Sequence, residues 1–234
     1  ILQEKVFDLI VFAGGEMFLG YFIDLIYYVV KEASNKKIPV VFHACGISDL
    51  SKRSIRLLKK VFLSDCVRSV SIRDSKERFD SLFDKSVAVK KTNDTALCCS
   101  KYFMAKSGKI ADIGVGLIDL PQYKDVQKQM VKFMIDSQLS WKLFTNGSPY
   151  DQTFAEQILT ELNVAPINFS EYLCDRSATP EELVKTITGF NRIVSFRLHS
   201  QVIASSFSID SYAVIWDEKV KDFYDIDAPV RRIM

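Results

Sequence analysis

Histidine and paired cysteine are scarce in this sequence, which limits the chemistry it can carry. Among 234 residues there are two histidines, His43 and His199, far apart in the chain. Metal sites usually draw on closely spaced His and Cys ligands, so we expect no metal site. The five cysteines are an odd number and include no CxxC pair, which argues against a disulfide framework or a zinc knuckle. We therefore expect reduced thiols and a cytoplasmic location.

Long apolar runs and a strong charge of one sign are also lacking. The most apolar stretch, residues 17–30, is shorter than the roughly 20 residues that cross a bilayer, and it contains Gly20 and Asp24. It predicts a buried helix and no transmembrane segment, and leaves peripheral association open. Glu4 and Asp8 interrupt the N-terminal stretch, so we expect no signal peptide. The net charge of +2 does not suggest a nucleic-acid partner.

Short β-branched runs alternate with helical patterns in the first half of the chain, which predicts a parallel sheet covered by helices. The predicted strands are residues 6–12, 38–42, 67–72 and 87–89. Ligands of such sheets bind at the carboxyl ends of the strands. Gly14 and Gly15, His43 and Arg73 follow three of these strands, so we predict that they bind substrate. The alternative is that the glycines only permit a turn and that His43 and Arg73 are capping or surface residues.

A polar break at residues 101–109 predicts a domain boundary, with domains at residues 1–105 and 106–234. Strand patterns resume after the break, at residues 110–117, 141–144, 192–196 and 211–216, and a last helix is predicted at residues 218–224. The predicted fold class is α/β, with two Rossmann-like domains whose parallel sheets face a cleft. Gly114 and Gly116 lack the third glycine of a dinucleotide loop, and predict a close backbone approach between the domains.

The stretch from Arg192 to Ala204 is the strongest candidate for the chemistry, because an apolar strand pattern ends in Arg197, His199 and Ser200. Ser200 is predicted to cap the next helix. Arg197 and His199, two apart at a strand end, are predicted to point to one side, beside helix N–H groups that favour an anion. A guanidinium fork and an imidazole suit a phosphate or carboxylate site. The alternative is a surface salt-bridging arginine and a histidine satisfied by backbone carbonyls.

Six segments along the chain resemble the polysaccharide pyruvyl transferase family, which has the two-domain architecture called GT-B. They are Phe12-Ala13-Gly14-Gly15, Val70-Ser71-Ile72-Arg73-Asp74, Thr92-Asn93-Asp94-Thr95-Ala96, Thr145-Asn146-Gly147, Arg197-Leu198-His199-Ser200 and Trp216-Asp217-Glu218-Lys219-Val220. The chain departs from the family pattern at Glu16, where a third glycine is usual. It also lacks the earlier strand and Gly-Asn loop, so we expect an incomplete N-terminal domain.

This resemblance implies transfer of a pyruvyl group from phosphoenolpyruvate to two hydroxyls of a sugar, which forms a cyclic ketal and releases phosphate. Phosphoenolpyruvate is then a donor substrate, and no cofactor is expected. The acceptor is a sugar, or a lipid-linked or nucleotide-linked saccharide. The implied catalytic residues are Arg197 and His199. The implied substrate-binding residues are Arg73, His43, Gly14, Gly15 and Ser200.

The same resemblance assigns the acceptor to domain 1–105 and the phosphate-bearing donor to domain 106–234, with a terminal helix that packs back across the cleft. Two alternatives remain open from the sequence. One is a glycosyltransferase of the same architecture that uses a nucleotide sugar, with Arg197 and His199 on its diphosphate. The other is a binding domain that has kept the fold without catalysis.

Overall fold

The computed structural model describes residues 7–73, 76–83, 85–106, 108–216, 220–221 and 223. The chain divides into two compact units, Ile1–Thr95 and Ala96–Met234. This division lies ten residues before the predicted boundary at residue 105. The physical reason is packing, because Ala96, Leu97, Cys99 and Phe103 contact hydrophobic clusters of the second unit. The polar break at residues 101–109 is therefore not the point at which the two units separate.

The elements follow one another as the alternation predicts. The strands are β1 (Ile10–Ala13), β2 (Val40–Cys45), β3 (Val67–Ile72), β4 (Lys90–Lys91), β5 (Ala111–Gly116), β6 (Trp141–Phe144), β7 (Phe190–Ser195) and β8 (Asp210–Ala213). The α-helices are α1 (Ile23–Asn35), α2 (Lys52–Phe62), α3 (Lys76–Phe83), α4 (Cys99–Tyr102), α5 (Lys124–Asp136), α6 (Pro149–Glu161), α7 (Phe169–Tyr172), α8 (Pro180–Ile187) and α9 (Leu198–Ser206). No helix within the described ranges is long and apolar enough to cross a membrane.

The first unit is a four-stranded parallel sheet in the order β1-β2-β3-β4, with helices packed against it. Its core is rich in phenylalanine: the rings of Phe42, Phe62, Phe79 and Phe83 form a chain of contacts with centroids 4.5–5.6 Å apart. Ser51 caps α2, since its hydroxyl accepts a hydrogen bond from the Ser54 amide at 3.1 Å. The fourth strand is residues 90–91, so the prediction of a strand at residues 87–89 is wrong in position.

The second unit is also a parallel sheet, but its strand order is β6-β5-β7-β8. The chain passes from β5 to β6 on one side and then returns to place β7 on the other side of β5. Such a reversal of direction is a topological switch point, and it opens a crevice between the carboxyl ends of the two central strands. The switch point of this unit therefore lies where β5 ends at Gly116 and β7 ends at Ser195.

The two glycines of β5 allow close packing within this unit. A Cβ on Gly114 would lie 2.5 Å from the Phe190 ring, and one on Gly116 would lie 2.5 Å from the Ser195 hydroxyl. The neighbours of both glycines belong to the second unit itself, so the predicted approach between domains is not the reason for them. The predicted helix at residues 218–224 and the terminal helix fall mostly outside the described residues. Val220 and Phe223 are among the described residues, and both are buried.

Candidate active site

The carboxyl ends of β5 and β7 bring the strongest candidate residue to the switch point of the second unit. Gly116 pairs with Ser195 as the last residue of each strand, and Arg197 follows two residues later. The hydroxyl of Ser195 accepts a hydrogen bond from the backbone amide of Arg197 at 3.1 Å, which fixes the turn between β7 and α9. Arg197 thus occupies the crevice edge at which parallel sheets bind ligands.

A buried carboxylate holds the side chain of Arg197. Asp151, in the first turn of α6, has no exposed surface and accepts hydrogen bonds from Arg197 Nε at 3.0 Å and Nη2 at 2.8 Å. It also accepts a hydrogen bond, at 2.9 Å, from the backbone amide of Asp119 in the loop after β5. One carboxylate therefore fastens the loops that follow both strands of the switch point. Such a two-point pair fixes both the position and the plane of the guanidinium.

This pairing changes what Arg197 can offer to a ligand. Its Nε and Nη2 edge is occupied by Asp151, and its Nη1 makes no hydrogen bond with any described residue. The side chain is 36% exposed. The predicted clamp on phosphate or carboxylate must therefore use the outer edge of the guanidinium, on which Nη1 lies. The alternative prediction is a surface salt bridge. Arg197 does form an ion pair, but its partner Asp151 is buried.

His199 is not a strand residue, so the prediction that it stands with Arg197 at the end of a strand is wrong. The strand ends at Ser195, Arg197 is the N-cap residue of α9, and His199 is the second residue of that helix. Helical residues at this spacing do not share a face in the way that strand residues do. The His199 side chain is exposed, at a helix start whose first N–H groups lack intrahelical acceptors. The expected combination of an imidazole and a helix N-terminus is therefore present.

Ser200 has a different role from the two that the sequence predicts. It is the third residue of α9 rather than its cap, and it is fully buried. Its hydroxyl donates to Asn146 Oδ1 at 3.0 Å, which ties the loop after β6 to the start of α9. Because Ser200 has no exposed surface, it positions Asn146 instead of contacting substrate itself. The amide nitrogen of Asn146 is left to face other groups.

Two side chains hold the end of β7 against the residues around it. Gln201 Nε2 donates to the Ser195 carbonyl at 2.6 Å, and Trp216 Nε1 donates to the Phe196 carbonyl at 2.6 Å. Gln201 is fully buried, and its Oε1 finds no donor among the described residues. A buried acceptor without a partner is costly, so an ordered water is the expected partner. Both bonds keep the Arg197 turn rigid.

The first unit gathers its candidate residues at the carboxyl edge of its own sheet. Gly14 and Gly15 follow β1 with φ of 63° and 59°, in the left-handed region that glycine adopts readily. The Gly14 amide donates to the His43 carbonyl at 2.9 Å. His43 lies within β2, beside an irregularity at Ala44, whose φ is 51°. Its exposed side chain has Nδ1 3.5 Å from the hydroxyl of Ser71. These residues lie together near the carboxyl edge of the first sheet.

Arg73 also lies at this edge, but it is engaged in an ion pair. Its Nη1 is 2.6 Å from Asp94 Oδ2, and the two side chains are only 8% and 11% exposed. Its backbone carbonyl accepts a hydrogen bond from Lys91 Nζ. The structure therefore favours a role in fixing the loop after β4 over the predicted direct contact with substrate. That loop also approaches the glycine turn, since a Cβ on Gly14 would lie 4.0 Å from Thr95 Oγ1.

Comparisons with known proteins identify the family. The sequence profile of the polysaccharide pyruvyl transferases matches residues 2–218. The chain belongs to this family. No curated protein matches the chain. Five of the six segments that suggested the resemblance lie within this match, and the sixth, at residues 216–220, extends two residues beyond its end.

Solved structures resemble the fold at low sequence identity. UDP-GlcNAc 2-epimerase from Methanocaldococcus jannaschii, in complex with UDP-GlcNAc and UDP, superimposes with a TM-score of 0.53 at 12% identity, covering 99% of this chain and 66% of the epimerase chain. A second structure of the same enzyme gives 0.62 at 9% identity, covering 97% and 66%. The chain thus spans 66% of the epimerase's length. The likeness confirms the predicted α/β, GT-B-like fold class with two parallel sheets.

Two carboxylates and one amide at these edges carry contacts that the sequence does not predict. Asp94 and Asn146 stand within segments that carried the resemblance, but no role was predicted for them. Asp151 follows Ser148 at the spacing of a helix cap, so its local signal is that of a capping acid. Its partner Arg197 is 46 residues away, and nothing local indicates the pairing. No three His, Cys, Asp or Glu residues cluster as a metal site in the described part of the chain.

Proposed function

We propose that this chain transfers a pyruvyl group from phosphoenolpyruvate to a saccharide, forming a cyclic ketal and releasing phosphate. The observation that carries the proposal is the switch point of the second unit. There, a guanidinium fixed by buried Asp151 adjoins a helix start that bears exposed His199. Membership of the family supports the reaction type. Phosphoenolpyruvate as donor and the ketal as product are parts of the proposal.

The reaction needs an acid, a base and a cationic clamp. Protonation of the methylene carbon of phosphoenolpyruvate gives a methyl group and an oxocarbenium-like centre at the adjacent carbon. A sugar hydroxyl attacks this centre and loses its proton. A second hydroxyl of the same sugar then displaces phosphate from the carbon and loses its own proton. The methylene carbon gains one of the two protons that the hydroxyls lose, and the other goes to the phosphate, which leaves with the bonding electron pair. No cofactor takes part.

We assign binding of the donor to Arg197 and proton transfer to His199. The outer edge of the Arg197 guanidinium suits the carboxylate or the phosphate of the donor, and Asp151 holds this charge in place before the donor arrives. The first N–H groups of α9 favour the same anion. Histidine is the side chain that most often transfers protons in catalysis, so we assign delivery of a proton to the methylene carbon to His199.

The acceptor side is assigned to the first unit. His43 is exposed at the carboxyl edge of its sheet, beside the left-handed turn at Gly14 and Gly15. A turn without side chains lets a sugar approach the backbone closely. The Arg73 and Asp94 pair fixes the neighbouring loop. The acceptor is a sugar, or a saccharide linked to a lipid or a nucleotide. All five cysteines are free, which supports placing the reaction in the cytoplasm.

The proposal is tested by assaying the purified chain for phosphate release from phosphoenolpyruvate in the presence of candidate saccharides, with mass spectrometry of the product. Arg197→Lys should mainly raise KM for phosphoenolpyruvate, because a point charge keeps the attraction and loses the fork. His199→Gln should lower kcat by a factor on the order of a hundred. It should also remove the change in kcat that occurs with pH in the neutral range. Arg192→Lys, an exposed residue of β7, is the matched control and should change neither constant.

Three outcomes would redirect the assignment. Release of a nucleotide from a nucleotide sugar, without phosphate release from phosphoenolpyruvate, would identify a glycosyltransferase. Binding of phosphoenolpyruvate without turnover by any saccharide would identify a binding domain. Unchanged turnover and pH profile in His199→Gln would leave the reaction possible but move the acid elsewhere, with His43 as the first candidate.

A further inference from the structure

Helix α1 exposes an apolar stripe that the fold of the first unit does not use. Tyr21, just before the helix, is 85% exposed, Leu25 is 60% exposed and Tyr28 is 57% exposed. Their spacing of four and then three residues places them on one face of the helix. That face lies opposite the buried side, which is formed by Ile23, Ile26, Val30 and Ala33. Contiguous apolar residues on a solvent face indicate an interaction site more often than isolated ones do.

The solvent face of α2 is basic. The sequence of this helix, KRSIRLLKKVF, contains five basic residues and no acidic one. Lys52, Arg53, Arg56 and Lys60 are exposed along it, and Leu63, just beyond its end, is 57% exposed. The buried side of the same helix is apolar apart from Ser54. The helix therefore presents a cationic stripe with an aliphatic residue at its end.

An ion pair joins the two helices at their first turns. Arg53 donates to both carboxylate oxygens of Asp24, at 3.0 and 2.6 Å. The apolar stripe of α1 and the cationic stripe of α2 consequently lie side by side. Together the two helices carry six basic and two acidic residues, a net charge of +4, whereas the whole chain carries +2. We call the solvent side of these two helices the α1–α2 face.

Most of the basic side chains on the α1–α2 face have no ion-pair partner among the described residues. Lys31, Lys52, Arg56 and Lys60 make no ion pair with any residue that the structure describes. Lys31 and Lys60 also border a groove between the two helices, with a volume of about 210 Å³, that is otherwise lined in part by the polar side chains of Ser34, Asn35 and Ser64. Two ammonium groups beside hydroxyls and an amide suit the oxygens of a phosphate group.

We propose that the α1–α2 face docks on the surface of an anionic lipid bilayer. Tyrosine rings and leucine side chains partition into the interfacial layer, while lysine and arginine remain among anionic headgroups. A nucleic acid would use the same charge but would leave Leu25 and Leu63 without a partner. The face begins beside the carboxyl edge of the first sheet, since α1 follows the Gly14–Gly15 turn. A lipid-linked acceptor held in the bilayer would thus meet the acceptor edge, an extension that rests on the proposed function.

The docking itself is tested without any donor or acceptor. The full chain is sedimented with vesicles of phosphatidylcholine, and with vesicles of phosphatidylcholine mixed with phosphatidylglycerol. We expect binding to the mixed vesicles only, weakened by added salt. Each basic residue near an anionic membrane strengthens partitioning about fivefold, so Arg56→Gln with Lys60→Gln should weaken it about 25-fold. Tyr21→Ser with Leu25→Ser should weaken it by at least about tenfold, through loss of apolar area.

Matched controls come from exposed residues of the second unit. Lys101→Gln with Lys132→Gln removes the same charge, and Phe133→Ser removes an aromatic ring that is 66% exposed. These controls should bind like the unaltered chain, and all variants should keep its circular dichroism spectrum because the replaced side chains are exposed. Equal weakening by the controls, or unchanged binding in both α1–α2 face variants, would overturn the proposal. So would a change of oligomeric state in those variants without vesicles, which would make the face a contact between copies.

Discussion

Replacing either partner of the Asp151–Arg197 ion pair should lower the free energy of unfolding of the second unit. The double variant should lose less than the sum of the two single losses. Arg197→Ala leaves the carboxylate of Asp151, which has no exposed surface, without its charged partner. Removal of one partner from a buried pair typically costs 3–5 kcal/mol, so we expect about 3 kcal/mol. Asp151→Ala removes the partner of the Arg197 guanidinium, but this side chain is 36% exposed and can be hydrated instead. It also leaves the Asp119 amide unpaired, so about 2 kcal/mol is expected.

The double variant gives the energy of the pair itself. Exposed ion pairs are worth about 0.2–1 kcal/mol in double-mutant cycles, and hydrogen bonds to charged groups about 1.5–3 kcal/mol. With one partner fully buried and two hydrogen bonds at 2.8 and 3.0 Å, we expect a coupling of about 2 kcal/mol. The coupling should persist at about 1 M salt, where the Debye length is only ~3 Å and exposed pairs are screened.

Urea denaturation followed by tryptophan fluorescence measures this coupling. Both tryptophans, Trp141 and Trp216, belong to the second unit, so their emission follows its unfolding. Asp151→Asn adds a functional readout: an amide keeps the volume but directs a donor at the guanidinium, so KM for phosphoenolpyruvate should rise about tenfold with a smaller fall in kcat. A coupling below about 0.5 kcal/mol with an unchanged KM would refute the view that Asp151 holds Arg197 in place.

Three further predictions concern packing, ionisation and thiol reactivity. Gly116→Ala should lower the unfolding free energy of the second unit by about 2–3 kcal/mol in urea titrations, because the new Cβ would lie 2.5 Å from Ser195 Oγ. Hydrogen bonds from two lysines lower the pKa of Glu161 to about 2. Its stabilising contribution is therefore present above the ordinary pKa and lost as pH falls toward about 2, so the difference in urea midpoint between the unaltered chain and Glu161→Gln should be constant near pH 7 and shrink below about pH 4.5. Burial raises the pKa of the Cys174 thiol, so iodoacetamide should alkylate it later than exposed Cys98 in time-resolved mass spectrometry. Equal rates at the two cysteines would contradict that assignment.

The elements of the fold could be predicted because their signals are local. Ser51 caps α2 and Pro180 is the first residue of α8, and both are local signals, since caps and first-turn prolines act within a few residues. The order of strands in the second sheet could not be predicted, because it depends on pairing between distant segments. The switch point between β5 and β7 therefore emerges only from the structure, although it explains why the most promising segment lies at a ligand-binding edge.

The site was predictable in its main residues and not in its contacts. Arg197 and His199 stand at the carboxyl edge of the sheet, but the helix begins at Leu198 and so separates them by a helical step. Ser200 has the side chain of a capping residue, yet its hydroxyl bonds to Asn146, which is 54 residues away. Nothing near Ser200 in the sequence indicates this competing partner. The prediction that candidate residues of both units face one cleft stays a prediction.

The structure separates two kinds of cationic residue at these edges, and the separation bears on mechanism. Arg73 and Arg197 are each held by a carboxylate from another loop, so each supplies a charge of fixed position that does not titrate. His43 and His199, the two histidines of the chain, are both exposed at the carboxyl edge of a sheet. Histidine is the usual proton-transferring side chain in catalysis, so we expect the pH dependence of the proposed reaction to originate in the histidines. The two differ in surroundings, because His199 lies on a helix start that favours an anion, whereas His43 has the Ser71 hydroxyl 3.5 Å away. We therefore expect replacement of His199 to alter the pH dependence of kcat/KM for the donor. Replacement of His43 should alter the pH dependence of kcat/KM for the acceptor.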